Sequence, residues 1–289
     1  MTKIKITFLL ISVALIVFSS CKKFNKEEPI PSFIKIPKCS LNSDSASQGS
    51  TISNITDIWV NINGNRQGTY ELPVNFPVIG SGKSKITFRA GIKANGIAAS
   101  RVIYPFYNTI DIDTVLTPET QLTFSPVFTY VPDAVFGWLE NFQGNGFSLE
   151  RTLNSDTLLY TGIDSINPLI KYGVFYIDAI RQKFQYKSTE SIDIPSNGNA
   201  VFLELDYQCN HPFFVGVFKN TSIQSIATNI IYINPHPNSF NHIYIDLSYY
   251  IAQNNDAIDY SIFFGSTLDS GSGYTKGEVK IDNIKLIHF

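Results

Sequence analysis

From Thr51 to the end of the chain, apolar residues alternate with polar ones in short runs, and hardly any window repeats at the 3.6-residue period of a helix. Ile, Val, Tyr, Phe and Thr dominate these runs, and Gly, Pro and Asn interrupt them, which predicts many short strands. Ile58 to Ile62 alternates, residues 63–68 read as a turn, and Thr69 to Leu72 resumes the pattern, so a hairpin is expected. Over Lys85 to Arg89, Ile86 and Phe88 share one side, and Lys85, Thr87 and Arg89 the other. Val201, Leu203, Leu205 and Tyr207 alternate with Phe202, Glu204, Asp206 and Gln208; Ile243, Ile245 and Leu247 alternate with Tyr244, Asp246 and Ser248. Each pattern suits a strand packed on one side and wet on the other. The predicted fold class is all-β, in two units: a small β-sandwich over 51–132 and a larger one over 136–289.

The final segment carries a sharper signal. Val279 and Ile281 share one parity but Ile284 and Leu286 share the opposite one, so a regular strand would turn half its apolar residues outward. One inserted residue, a β-bulge at Asp282-Asn283, would restore a single apolar face. Cys209 continues the buried parity of Leu205 and Tyr207 and reads as a buried free thiol; the alternative is a disulfide to Cys39.

The amino terminus follows different rules. Lys3 and Lys5 precede an almost unbroken apolar stretch from Phe8 to Phe18, and Ser19-Ser20 stand directly before Cys21, which reads as an export leader over 1–20. The stretch is shorter than the ~20 residues a membrane-spanning helix needs. Residues 21–50 carry Lys22-Lys23, Lys26-Glu27-Glu28, several prolines and a Ser/Asn/Gln/Gly stretch, a composition expected of a flexible tether.

Charge and motifs then remove function classes. Lys and Arg number 22 against 24 Asp and Glu, so no basic surface is available for phosphates and no nucleic-acid partner is expected. The hydrophobic fraction of 44% is enough for a core, and three cysteines are too few for a disulfide scaffold. His211, His236, His242 and His288 form no zinc-binding spacing, and neither a G-x-S-x-G elbow nor a P-loop is present. The chemistry points to binding rather than catalysis.

Several features resemble known families. Small residues directly before Cys21 resemble a bacterial lipobox, with Phe18 where Leu is usual; the resemblance implies a diacylglyceride on Cys21 and attachment to the membrane through that lipid. The first unit resembles immunoglobulin-like or transthyretin-like sandwiches, and its WVNINGNRQGTYELP stretch resembles PEGA-type surface modules. The second unit, opening at Trp138 to Phe142 and closing at Gly277 to Leu286, resembles the jelly rolls of carbohydrate-binding and galactose-binding-like modules. That resemblance implies a structural calcium at Glu140 and Asp282, since calcium takes six to eight oxygens. It also implies a glycan site, for which the outward parity offers Glu204, Asp206, Gln208, Tyr244 and Asp246. Asp44-Ser45-Ala46, Asp113-Thr114-Val115, Asp156-Thr157-Leu158 and Asp164-Ser165-Ile166 match the O-glycosylation acceptor of Bacteroidota. The mature chain as a whole is similar to envelope lipoproteins of that phylum. The expected place is the outer membrane, and the expected partner is a glycan or another envelope protein.

Overall fold

The computed structural model describes residues 28–269, 271 and 273–289. The leader, Cys21 and the expected lipid attachment lie outside the described residues. Among those described, no helix is long and apolar enough to cross a membrane. The fold is all-β: the described residues form two packed sandwiches and one helical turn, α1 (Ser248–Ala252).

The first sandwich opposes two sheets. In one, β1 (Ser32–Ile36) lies between β5 (Val74–Val78) and β9 (Gln121–Thr123). In the other, β3 (Asp57–Ile62) joins β4 (Asn65–Glu71) to β6 (Gly82–Lys93), which also pairs with β7 (Arg101–Ile103) and β8 (Ile110–Leu116). A short parallel pair, β2 (Ser40–Leu41) with β10 (Val127–Phe128), completes the unit. Ile58, Val60, Ile86 and Phe88 are fully buried between the sheets while Lys85 and Arg89 face water, as the alternation predicts. The hairpin turns more tightly than expected. Asn63 and Gly64 both have positive φ, at 53° and 80°, so two residues close it and Asn65 already belongs to β4.

The tether expected over 21–50 is corrected from Ser32 onward. Ser-Phe-Ile-Lys-Ile forms β1, with Ile34 and Ile36 at 0% exposure and Phe33 and Lys35 outward. The polar residues on either side mask a five-residue period-two run that is too short to stand out. Only the stretch after β2 is a surface turn, closed by the Asp44 side chain, which accepts from the Ser47 hydroxyl and the Ala46 N–H.

The second sandwich has jelly-roll architecture. Its six-stranded sheet runs β13 (Leu159–Ile163), β14 (Lys171–Ile177), β21 (Gly277–His288), β16 (Val201–Cys209), β19 (His236–Asp246), with β11 (Val135–Glu140) also on β21. Its five-stranded sheet runs β12 (Leu149–Arg151), β15 (Lys183–Ser188), β20 (Asp259–Thr267), β17 (Phe213–Asn220), β18 (Ser225–Ile233). The expected bulge is present. Glu204 pairs with Lys285 and Asp206 with Asp282, so the single Leu205 faces both Asn283 and Ile284, and Asn283 takes a φ of 48°. Val279, Ile281, Ile284 and Leu286 therefore all enter one core, against Leu203, Val215, Ile245 and Phe264. Cys209 lies in that core as a free thiol, and Cys39 is also free.

The sandwiches are not beads on a string. Phe202, Tyr244 and Ile287 leave the jelly-roll core and pack into the core of the first unit with Tyr104, Phe106, Tyr107 and Phe128. Phe202 meets Tyr104 edge-on at 5.3 Å, and the Asn95 N–H donates to the Tyr244 carbonyl at 2.7 Å. One end of the six-stranded sheet is therefore buried on both faces, which corrects the expectation of a wet outer parity there.

Truncating β1 in its buried parity tests the corrected boundary. Ile34→Ala is expected to cost about 3 kcal/mol in urea-unfolding stability, whereas the same change in a solvated tether would cost nothing measurable.

Candidate functional site

The five residues expected to bind a ligand do not form one wet patch. Glu204 is fully buried at the junction of the units, accepting from the Tyr104 hydroxyl at 2.6 Å and the Tyr130 hydroxyl at 2.9 Å. Lys285 Nζ stands 3.5 Å from Glu204 Oε2, and His242 Nε2 stands 3.6 Å from it. Burial alone would raise the Glu204 pKa, but Lys285, His242 and Tyr104 outweigh it and hold the carboxyl at about 2. Burial likewise pushes the Tyr104, Tyr107, Tyr130 and Tyr244 hydroxyls upward, and the Glu204 charge adds to it. Tyr244 is consumed by this seal: its hydroxyl accepts from the Asn54 N–H at 3.1 Å and pairs with the Tyr107 hydroxyl at 3.1 Å. Glu204 and Tyr244 are thus corrected to interface residues.

Asp206, one step along β16, sits at the rim of the seal. Its Oδ1 is 2.6 Å from His242 Nδ1, and its Oδ2 accepts from the Asn283 amide at 2.7 Å. Gln208 is half-buried and donates to the Pro237 carbonyl at 2.6 Å. Asp246 serves the chain locally, accepting from the Ser248 N–H and hydroxyl as α1 begins. The Asp-Ser/Thr motifs also divide. Ser45 and Ser165 are exposed, whereas Thr157 is fully buried and donates to the Tyr176 carbonyl, so a sugar at Thr157 is sterically excluded.

The residues expected to hold calcium do not fit it. The Glu140 carboxylate is spent on the Phe142 N–H at 2.7 Å, the Ser148 hydroxyl at 2.8 Å and the Ser148 N–H, which together turn the chain after β11. Asp282 accepts from the Asn283 N–H at 2.8 Å. Its carboxyl is pushed up to about 8, first by burial and then by the neighbouring charges of Asp206 and Glu140. Among the described residues, no three His, Cys, Asp or Glu side chains are grouped so that they could hold a metal ion. Two carboxyls already engaged with N–H and hydroxyl donors fall short of a calcium shell.

A row of aromatic rings lies on the outer face of the other sheet. On the outside of the five-stranded sheet, a Cβ at Gly265 would lie 2.4 Å from the Phe214 ring, and one at Gly216 would lie 2.2 Å from the Phe263 ring. Each ring therefore fills the space over a glycine of the neighbouring strand; Phe263 is fully buried, and Phe214 and Phe218 are half-buried. Tyr232, Phe214, Phe263 and Phe218 follow one another at centroid distances of 5.7, 6.0 and 4.8 Å, with Tyr232 67% exposed. A cleft of about 340 Å³ adjoins this row, lined by His211, Phe214, Tyr232, Ser266, Asp269 and Tyr274, among others. Sequence reasoning missed this face because Phe213 to Phe218 is apolar in both parities, and the glycines that seat the rings lie on neighbouring strands.

His211 and Ser266 share that cleft at 3.0 Å, yet they do not form a nucleophile and its base. Both point at the Pro212 carbonyl, His211 Nδ1 at 2.8 Å and Ser266 Oγ at 2.6 Å. A carbonyl only accepts, so Nδ1 carries a proton and cannot take one from Ser266.

No protein-family description matches the chain, and no curated protein sequence does. Several solved structures do. The C-terminal family 22 carbohydrate-binding module of Clostridium thermocellum Xyn10B is 13% identical over 53% of this chain and 94% of its own, with a TM-score of 0.35. The xylan-binding domain of Paenibacillus barcinonensis Xyn10C is 9% identical over 53% and 99%, with a TM-score of 0.39. A structure from work on carbohydrate-binding modules of the β-sandwich superfamily is 11% identical over 90% and 99%, also at 0.39. At such identities and scores no residue role is carried across.

The seal sets a pH dependence with two limbs. Glu204 titrates below its ordinary 4.5, so its stabilisation is complete above 4.5 and is lost as pH falls toward 2. His242 titrates above its ordinary 6.5: burial lowers it, but the hydrogen bond to Asp206 and the nearby Glu204 carboxylate outweigh burial, so its contribution is complete below 6.5 and is lost as pH rises through the raised value. Glu204→Gln leaves Lys285 unpaired and is expected to cost about 3–5 kcal/mol near neutrality. That deficit should shrink as pH falls from 4.5 toward 2, measured by denaturant unfolding across pH; a deficit independent of pH removes the ion pair from the account.

Proposed function

We propose that this chain is a lipid-anchored, non-catalytic binding protein of the cell envelope that holds a glycan on the outer face of its five-stranded sheet. The observation that carries this reading is the pair of rings Tyr232 and Phe214, the second seated against Gly265, beside a cleft lined by polar side chains. A pyranose presents an apolar C–H face and a rim of hydroxyls. The first stacks on Tyr232 and Phe214, while His211, Ser266, Thr267 and Asp269 line the adjoining cleft within reach of the second. The lipid at Cys21 would hold the body at the membrane, with residues before Ser32 as the leash.

Affinity electrophoresis of the full chain through gels containing single plant and bacterial polysaccharides tests this. At least one polysaccharide is expected to retard it, and Tyr232→Ala should weaken that retardation about tenfold, or ~1.4 kcal/mol. Equal mobility in every gel defeats the glycan reading.

A second reading, contact with another envelope protein, is favoured by β18. This strand ends the five-stranded sheet, and from Thr221 to Asn234 the chain has neither a charge nor a proline. Several other sheet edges are guarded: β5 contains Pro77, β12 contains Glu150 and Arg151, and β4 contains Arg66 and Glu71; β13 is also free of charge and proline but spans five residues against the nine of β18. An unguarded edge accepts an added strand from a partner. Ala227→Lys places a charge on that exposed edge and is expected to abolish stoichiometric recovery of a protein partner from native membranes while leaving polysaccharide retardation unchanged. Recovery of the same partner by the variant at wild-type yield removes β18 as the contact.

A further inference from the structure

The outer face of the six-stranded sheet is not wholly sealed. Where it emerges from under the first unit, a cleft of about 350 Å³ opens between the units, and nothing in the five-stranded face contributes to it. Its floor is Asp206 and Asp282, register partners on β16 and β21, with the bulge residue Asn283 beside them. Tyr172 of β14, Phe240 of β19, Ile170 and Ile52 form the walls, and Ile52 comes from the segment that links β2 to β3.

We propose that this cleft is a second ligand site, built to take a single sugar ring. Tyr172 is seated against a glycine as Phe214 and Phe263 are: a Cβ at Gly162 would lie 2.1 Å from its ring, so the ring closes over β13 backbone. Phe240 stands edge-on to it at 5.5 Å and 64°, giving two aromatic surfaces at an angle. Ile52, Ile170 and Phe240 keep 49%, 44% and 37% of their surface exposed around the opening, an apolar collar that water does not reward. The collar suits the C–H faces of a pyranose.

The floor decides between ligand chemistries. Asp206 is met on one oxygen by His242 at 2.6 Å and on the other by the Asn283 amide at 2.7 Å, so its charge is already matched from within the protein. The second amide contact of Asn283, 3.3 Å to Asp282, ties the two carboxyls together. The Asn283 side-chain carbonyl takes no partner among the described residues. The remaining lone pairs, this carbonyl and the proton that the buried Asp282 carboxyl retains near neutrality make a fixed set of acceptors and one donor at neighbouring positions, which vicinal hydroxyls, able both to donate and to accept, satisfy. A metal ion is disfavoured, because no group of three ligating side chains exists among the described residues. The wall is held as firmly as the floor, since Lys285 Nζ donates to the Ser50 carbonyl at 2.6 Å and fixes the segment that carries Ile52. The site therefore exists only while the two sandwiches are packed.

Amide-resolved NMR of the full chain, titrated with methyl β-D-xylopyranoside, methyl β-D-glucopyranoside and methyl α-D-mannopyranoside, tests the assignment. At least one glycoside is expected to shift the amides of Tyr172, Phe240 and Asn283 at millimolar concentration. Tyr172→Ala should weaken that titration at least tenfold, Phe240→Ala should weaken it in a chain whose remaining spectrum is unchanged, and Tyr232→Ala should leave it intact. Loss of the effect in Tyr232→Ala assigns the binding to the five-stranded face and overturns the second site. Silence of these amides with all three glycosides, an undiminished response in Tyr172→Ala, or a response to putrescine or calcium alone also overturns it. Failure here leaves polysaccharide retardation by the five-stranded face as a separate result.

Discussion

A carboxylate with no exposed surface must be given donors or give up its charge, and Glu204 is such a group. Its donors come from both sides of the molecule. Tyr104 and Tyr130 belong to the first sandwich, whereas Lys285 and His242 belong to the jelly roll. Neither unit alone carries the full set: separating them would leave Glu204 with Lys285 and His242 but remove the two phenols that complete its hydrogen bonds. Lys285 extends the constraint by gripping the Ser50 carbonyl, and Tyr130 returns it by meeting Lys285 at 2.9 Å. The packing of the two sandwiches follows from one charge that cannot be left alone.

This constraint also explains which parts of the molecule were legible in the amino-acid pattern. Local registers were: Ile86 and Phe88 turn inward as their alternation demands, and the parity change between Ile281 and Ile284 marks the bulge at Asn283. A period-two pattern reports that two faces differ, but it does not report what covers the polar one. Glu204 and Asp206 have the parity of wet residues and are 0% and 3% exposed, because the cover comes from a different sandwich. The same blindness hid β1, whose Ile34 and Ile36 lie in five residues bounded by prolines, charges and polar turns. Composition averaged over 21–50 describes its majority and loses that short minority.

The aromatic faces were hidden for a different reason. In Phe213 to Phe218 both parities are apolar, which on its own reads as a strand buried on both sides. The information on how the outer parity packs resides in Gly216 and Gly265, which lie across from Phe263 and Phe214 on the neighbouring strands. Tyr172 and Gly162 repeat the relation across β13 and β14. A ring opposite a glycine on the next strand has space to close over it, and such a pairing becomes visible only when the register is known.

Seating rings in this manner has an energetic consequence for binding. A side chain free to rotate must be ordered by its ligand, at a cost of about 0.5–1.5 kcal/mol for each rotamer-rich group. Phe214, Phe263 and Tyr172 are held by close approach to backbone before any ligand arrives, and aromatic side chains have few rotamers to lose. Both faces are therefore pre-organised by the sheets rather than by loops. The sheets are in turn held by a core that includes the stacked Phe175 and Phe184 rings at 4.1 Å, and by the seal at Glu204. A weakened seal would loosen the cleft at Asp206 first, because Ile52 and Ser50 reach it from the other sandwich, while the five-stranded face, built wholly within the jelly roll, would keep its geometry.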